Sequence, residues 1–553
     1  MASKAKVSAV VFLGLISPAA LGADDPAGQT KSPAFVDVTT ASGVAEVLAT
    51  HYRRVPKWWL SGMALLDLDG DGDLDLHLAG HGSPAAAALN DGKGRFTGID
   101  PHLGLKRGVR YDNDIPYPGG EIRLSFDFDE DGRLDLLTSW HDGGGVLYLN
   151  DFRRGPRGIR ANFRRSRHLA EFCRGCAVFD VDRDGVADFL RDDGKQIAVF
   201  HGKGDGSFRP ERGAIAGSFE QSGFIPADLN GDGHIDLLMH GRTEGNFYSR
   251  APFERRILRN NGRGGFADAT SESGLDRRGG SIHGVGDVNH DGHPDLICVE
   301  SRLVRIHLND GRGRFRRVDA AVGGLEDVRA RPSALAWGGA IVTDFDNDGK
   351  ADVVVAGRYF LYVLRGRGDG TFTYANSVWG LPNTAWAAVD EGLCFGDIDA
   401  DGRLDLLTCA TRPNGKQKGV RVMRNNLPRR HWLRVRLVGA KGNRSAAGAK
   451  IRIHAPASGG KRRLLWYEQV SIWGRQSCHS YYAAAQTERH FGLGRHKRVD
   501  VSVEFHPSGK RVERRGVPAD RTIEIEERST PRPHVTTRQL SRSAHAAECG
   551  PPR

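Results

Sequence analysis

Short apolar runs recur along most of the chain, each stopped by a polar, glycine-containing turn. GMALLD (Gly62 to Asp67) and GAIVTD (Gly339 to Asp344) are two such runs, and each leads into a cluster of carboxylates. Behind the cluster the pattern alternates or runs apolar again, as in LDLHLAG and ADVVVAG, which predicts a β-strand and not an exiting helix. A second turn follows: NDGKGRF from Asn90, GKGDGSF from Gly202, NNGRGGF from Asn260, NDGRGRF from Asn309 and GRGDGTF from Gly366. The unit reads strand, acidic loop, strand, short link, strand, glycine-rich hairpin, strand, which is one blade of a β-propeller.

The acidic cluster is a nine-residue pattern, D-x-[DN]-x-D-G-x-x-D, repeated seven times at intervals of 60, 53, 48, 59, 57 and 53 residues. Positions 1, 3, 5, 7 and 9 are Asp67, Asp69, Asp71, Asp73 and Asp75 in loop 1, and Asp127, Asp129, Asp131, Arg133 and Asp135 in loop 2. Loop 3 has Asp180, Asp182, Asp184, Val186 and Asp188; loop 4 has Asp228, Asn230, Asp232, His234 and Asp236. Loop 5 has Asp287, Asn289, Asp291, His293 and Asp295; loop 6 has Asp344, Asp346, Asp348, Lys350 and Asp352; loop 7 has Asp397, Asp399, Asp401, Arg403 and Asp405. Position 6 is always Gly, as a sharp turn around an ion requires. The variety at position 7 fits a ligand that uses only its backbone carbonyl, and the mostly apolar positions 2 and 8 are expected to point inward. Four carboxylates within nine residues repel one another without a cation. Oxygen-only donors in a flexible loop favour Ca²⁺, up to seven ions, over the stricter octahedron of Mg²⁺ or the nitrogen and sulfur that zinc prefers.

An EF-hand opens with the same D-x-D-x-D-G but needs Glu at its twelfth position. Here that position is Leu78, Thr138, Arg191, Met239, Cys298, Val355 and Thr408, so the EF-hand is excluded. Strands expected to form the blades' outer edges begin near Phe96, Phe163, Phe208, Phe266, Phe315 and Phe372. The seventh unit ends at Asn425-Asn426 without one, and FVDVT at Phe35 to Thr39 is expected to complete it and close the ring.

These loops and their N-D-G-x-G-x-F turns resemble FG-GAP (VCBS-type) repeats over residues 35–428. Beyond them, HWLRVRLVGAKGNRSAAGAKIRI (His431 to Ile453), ERHFGLG (Glu488 to Gly494) and VEFHPSGKRVE (Val503 to Glu513) look like the ASPIC/UnbV domain. The pairing is similar to that of the cartilage acidic protein-like family. That resemblance implies a secreted calcium-binding propeller with adhesive or matrix-type interactions and no established reaction. The fold class expected is all-β: a seven-bladed β-propeller with calcium loops, then a small β-rich, sandwich-like domain over 429–528. Residues 529–553, rich in Pro, Ser, Thr and Arg, are expected to be disordered.

Charge departs from the family's name, so no partner is carried over from it. The chain has 79 basic and 68 acidic residues, and 26 of the acidic ones lie at loop positions 1, 3, 5 and 9, leaving 42 elsewhere. Arginines gather in insertions between blades: Arg153, Arg154, Arg157, Arg160, Arg164, Arg165 and Arg167 in one, Arg242, Arg250, Arg255 and Arg256 in another. The expected partner is an extracellular or envelope polymer or protein, a polyanionic glycan being the sharpest candidate against a solvated, Arg-biased surface. No nucleic acid partner or transmembrane anchor is expected, and the protein is expected to be a monomer.

Residues 1–23 carry Lys4 and Lys6, an apolar run from Val7 to Ile16 and small residues before Asp24, the layout of a secretory signal peptide. Export to the periplasm, cell surface or medium follows. The seven cysteines are accessory, with Cys173 and Cys176 expected as a local disulfide or packed thiols. Trp58, Trp59, Tyr111, Tyr117, Trp140, Trp337, Trp379 and Trp386 suit core packing more than sugar stacking. No nucleophile elbow, zinc motif or phosphate loop appears, and no catalytic residue is assigned. The alternative is a calcium-dependent polysaccharide lyase or hydrolase using His81 and His141.

Overall fold

The computed structural model describes residues 34–528 apart from some short segments, the longest being 100–120, 243–252, 324–338, 382–392 and 476–487. The expected signal segment and tail, Cys173, His81, His141, Arg157, Arg250, Trp59, Tyr111, Tyr117, Trp337 and Trp386 lie outside the described residues.

Seven sheets follow one another along the chain, each running outward from an innermost strand and antiparallel apart from Val322–Gly323, which lies parallel to Phe372–Tyr374. Blade 1 is Leu60–Leu66, Asp75–Gly80, Ser83–Asn90 and Phe96–Ile99, and the other blades repeat this order. All six expected outer strands are present, beginning at the predicted phenylalanines. The seventh sheet takes its outer strand from the start of the chain, Phe35 pairing with Asn425 and Asp37 with Met423. The ring is thereby closed, the seventh blade being built from the first strand of the chain and three strands at the end of the repeats.

Burial explains why second strands read apolar throughout. Asp75–Gly80 and Asp295–Glu300 are buried at every position because neighbouring blades cover both faces. Innermost strands of successive blades touch: Leu60–Leu66 meets both Glu121–Phe126 and Leu393–Gly396, and Gly175–Phe179 meets Glu220–Ala227. Blades 6 and 7 share a core of Ile341, Phe345 and Val354 with Leu393, Phe395 and Leu406. Trp379 packs there beside Phe35, and Trp58 is buried against His51 and Tyr52 of the helix Val44–Arg54, so both tryptophans belong to the core.

The arginine insertions are largely strands. Arg153–Gly155 pairs with Gly158–Arg160, and Phe163–Leu169 is the outer strand of blade 2. Arg255, expected on the surface, is buried in Phe253–Asn260 and its NH1 lies 2.7 Å from Glu300 Oε1 of blade 5. A charged residue reads as solvated until the carboxylate of the next blade is placed against it. Cys176, Cys298, Cys394 and Cys409 are buried.

The C-terminal module is two sheets, Glu488–Gly494/His431–Val438/Arg521–Glu526 and Leu464–Gln469/Lys450–His454/Arg498–Glu504/Arg511–Pro518. They share a core that includes Leu433, Val435, Phe491, Ile451, Ile453 and Val501. The module is docked on the propeller. Its strand Ile472–Arg475 pairs with the innermost strand of blade 3, Ile472 opposite Val178 and Arg475 opposite Gly175, and Trp473 packs against the cores of the adjoining blades.

Candidate metal centres

Each acidic loop joins the innermost strand of a blade to the second, so all seven lie on one face of the ring. Position 2 is buried in every copy: Leu68, Phe128, Val181, Leu229, Val288, Phe345 and Ile398. This anchors the loop while the polar positions turn around a common carboxylate.

That carboxylate is position 1. In all seven loops its Oδ2 accepts the N–H of the position 6 glycine, at 2.7–3.0 Å. Its Oδ1 accepts from position 4 in loops 1, 3 and 4 and from position 5 in loops 5, 6 and 7. The position 5 Oδ1 accepts the N–H of position 7 in every copy. Winding the backbone this tightly forces two left-handed residues per loop. Position 6 is one, with φ from 84° to 95°. Position 4 is the other, and in five loops it is not glycine: Glu130, Arg183, His290, Asn347 and Ala400 have φ from 54° to 66°.

Position 9 lies deepest. Its Oδ2 accepts the N–H of position 2 and its Oδ1 the N–H of the residue ending the third strand, namely Asn90, Asn150, Gly202, Asn260, Asn309, Gly366 or Asn425. Where that residue is Asn, its side chain reaches the preceding blade: Asn309 Nδ2 donates to Leu229 O at 2.9 Å and to Pro294 O at 3.0 Å. Asn90, Asn150, Asn260 and Asn425 make the same inter-blade bond. The recurrent Asn of the N-D-G turn was the sequence signal for this, hidden because the turn alone accounts for it.

Carboxylate oxygens of Asp67, Asp69 and Asp71 lie within 4.8 Å of one another, as do those of Asp127, Asp129 and Asp135 and of Asp180, Asp182 and Asp184. Burial, reinforced by the neighbouring carboxylates, pushes Asp75, Asp135 and Asp295 up to about 8. Two buried oxygens, Oδ1 of Asp127 and Oδ1 of Asp399, accept no hydrogen bond. An all-oxygen donor set with unused lone pairs and a surplus of negative charge fits a hard divalent cation. At position 7 the Arg133 and Arg403 side chains fold back onto Asp131 and Asp401 of their own loops.

Among the described residues the C-terminal module makes direct contact with six of the loops, and Arg436 lies close enough to loop 1 to feel the charge of Asp67. Lys450 Nζ binds Asp228 Oδ2, and Arg434 NH2 binds Asp397 Oδ2. Arg444 lies 3.7 Å from Asp127, Arg430 lies 3.0 Å from Asp346, His506 reaches the carbonyl of Asp180 at 3.5 Å, and Trp466 meets His290 edge-on. The lead carboxylates of these six loops are buried; Asp67 of loop 1 is only half-buried.

Comparison with known proteins agrees with this division of the chain. An FG-GAP-like repeat model matches residues 180–239 and 344–408, and a model described as ASPIC and UnbV matches 439–532. Cartilage acidic protein 1 of Homo sapiens and of Mus musculus is 26% identical over 279 residues, 47% of this chain and 38% of theirs. The match thus spans well under half of those relatives' length. Among solved structures, an Agrocybe aegerita lectin described as recognising non-reducing terminal N-acetylglucosamine aligns with 67% of this chain and 92% of its own, at 19% identity and a TM-score of 0.39. A Lactobacillus plantarum protein aligns with 78% of this chain and 99% of its own, at 10% identity and a TM-score of 0.36. FG-GAP-like repeats and an ASPIC/UnbV domain are thus found in this chain, which is similar over part of its length to cartilage acidic protein 1.

Proposed function

We propose that this is an exported, calcium-stiffened binding protein whose ligand is an anionic polysaccharide or other polyanionic surface polymer. The observation that carries it is the covering of the acidic loops. Six lead carboxylates are buried where the C-terminal module meets the loops, which withdraws them from the outer surface of a chain that already has 79 basic against 68 acidic residues. Calcium held there by the carboxylates of positions 1, 3, 5 and 9 and the carbonyl of position 7 would neutralise the junction and couple ion binding to folding. Among the described residues no helix is long and apolar enough to cross a membrane.

The test is retention of the full chain on immobilised acidic and neutral polysaccharides, with calcium and with chelator, while the eluate is assayed for new sugar ends. Calcium-dependent retention on acidic polymers without cleavage is expected. Cleavage would overturn the non-enzymatic reading, and retention on neutral polymers alone would overturn the anionic one.

A further inference from the structure

Where the C-terminal module meets loop 6, a cleft of about 500 Å³ opens, well within the range of small-molecule sites. Loop 6 contributes Lys350, the linker into the module Arg430, the start of strand Leu464–Gln469 Arg463, and the turn after Glu488–Gly494 Arg495 and His496. One carboxylate lines it, Asp348, and this is bonded to Arg365 at 2.9 Å. Arg430 is committed to Asp346 at 3.0 Å.

Arg463 and Arg495 are exposed and have no carboxylate partner among the described residues. Arg463 NH2 lies 3.1 Å from His496 Nε2, and the backbone N–H of His496 donates to Leu493 O at 3.0 Å, which anchors the residue in its turn. Burial and then the two guanidiniums hold His496 below its ordinary range, so at neutral pH it is an uncharged acceptor. Arg463 is thereby positioned without being neutralised, which is the preorganised state an anion site needs. Gly349, Gly492 and Gly494 keep the walls low.

We propose that this cleft binds a carboxylate- or sulfate-bearing sugar unit of the anionic polymer, with Arg463 and Arg495 taking the charged group. It rests on the anionic-ligand reading above and assigns that reading one site. Planar guanidiniums match both carboxylate and sulfate oxygens, so an oligouronate and a sulfated oligosaccharide of equal length are the two arms, with a neutral oligosaccharide as control.

The experiment is calorimetric titration of the full chain in calcium, comparing the unaltered protein with the pair Arg463→Gln and Arg495→Gln. A second pair of equal charge change, Arg312→Gln and Arg314→Gln, lies on an exposed turn of blade 5. Expected is a loss of about tenfold or more for the cleft pair on whichever anionic arm binds, and no change for the blade 5 pair. Equal losses from both pairs, or none from the cleft pair, would overturn the cleft while leaving the anionic reading standing. No binding of either anionic oligosaccharide by the unaltered protein would overturn both.

Discussion

Lys450 of the C-terminal module donates from Nζ to the lead carboxylate of loop 4, Asp228, and both residues are buried. A protein cation thus stands beside the carboxylate around which the loop is wound. Arg434 stands in the same relation to Asp397 of loop 7.

Replacing Lys450 with Met keeps the length of the side chain and removes the charge. Without calcium the variant is expected to lose about 3–5 kcal/mol, because Asp228 is left as an uncompensated buried charge. Calcium should restore more to the variant than to the unaltered protein, since a divalent ion then meets no competing ammonium. Thermal unfolding in chelator and in calcium measures both. An equal loss in the two conditions would reduce Lys450 to a packing role.

The side-chain amide of Asn309 bridges blade 5 to the carbonyl of Leu229 in loop 4, and its Oδ1 accepts from Gly311 at 3.0 Å. Asn309→Ala strands two buried carbonyls and is expected to cost about 2 kcal/mol. Denaturant unfolding measures the loss. A cost below about 0.5 kcal/mol, the ordinary range for surface changes, would show that the bond does not hold the blades together.

Blades, outer strands and ring closure were legible because one pattern repeats seven times, and comparison of the copies separates turn residues from core residues. Position 4 was not legible. Glu130, Arg183 and Ala400 carry no preference for left-handed backbone; the lead carboxylate imposes it by accepting N–H groups from the positions that follow. Docking of the C-terminal module was equally hidden, since Arg434, Lys450 and Gln469 find partners in loops far earlier in the chain. The cleft residues come from four separate segments and share no local pattern.

Between blades 4 and 5, Glu300 receives hydrogen bonds from His307 Nε2 and Arg255 NH1, both at 2.7 Å. Burial pushes its carboxyl up, but these two bonds outweigh burial and hold it down at about 2. A carboxyl depressed in the folded state stabilises above its unfolded value of about 4.3, and that contribution fades as pH falls toward 2. Its full size is about 3 kcal/mol. Glu300→Gln should flatten the fall in stability between pH 5 and pH 2, measured by thermal unfolding across that range. An unchanged pH profile would refute the assignment.

Gly492 of the module packs directly against loop 6. A Cβ there would fall 1.9 Å from Asp344 Oδ2 and 2.6 Å from the Cα of Asn347, so backbone on one side must move. The contacts at stake are Gly494 N–H to Asn347 O at 2.9 Å and His490 Nε2 to Asn347 Oδ1 at 2.7 Å. Gly492→Ala is therefore expected to lift this edge of the module from the propeller, splitting one thermal transition into two and speeding proteolysis at the linker before His431. Gly509→Ala is the control: its φ of 67° makes the substitution strained, but nothing lies within 4 Å, so it should cost about 1 kcal/mol and leave the module seated. If the two variants behave alike, each with one transition and an intact linker, the module does not depend on loop 6 for its seat.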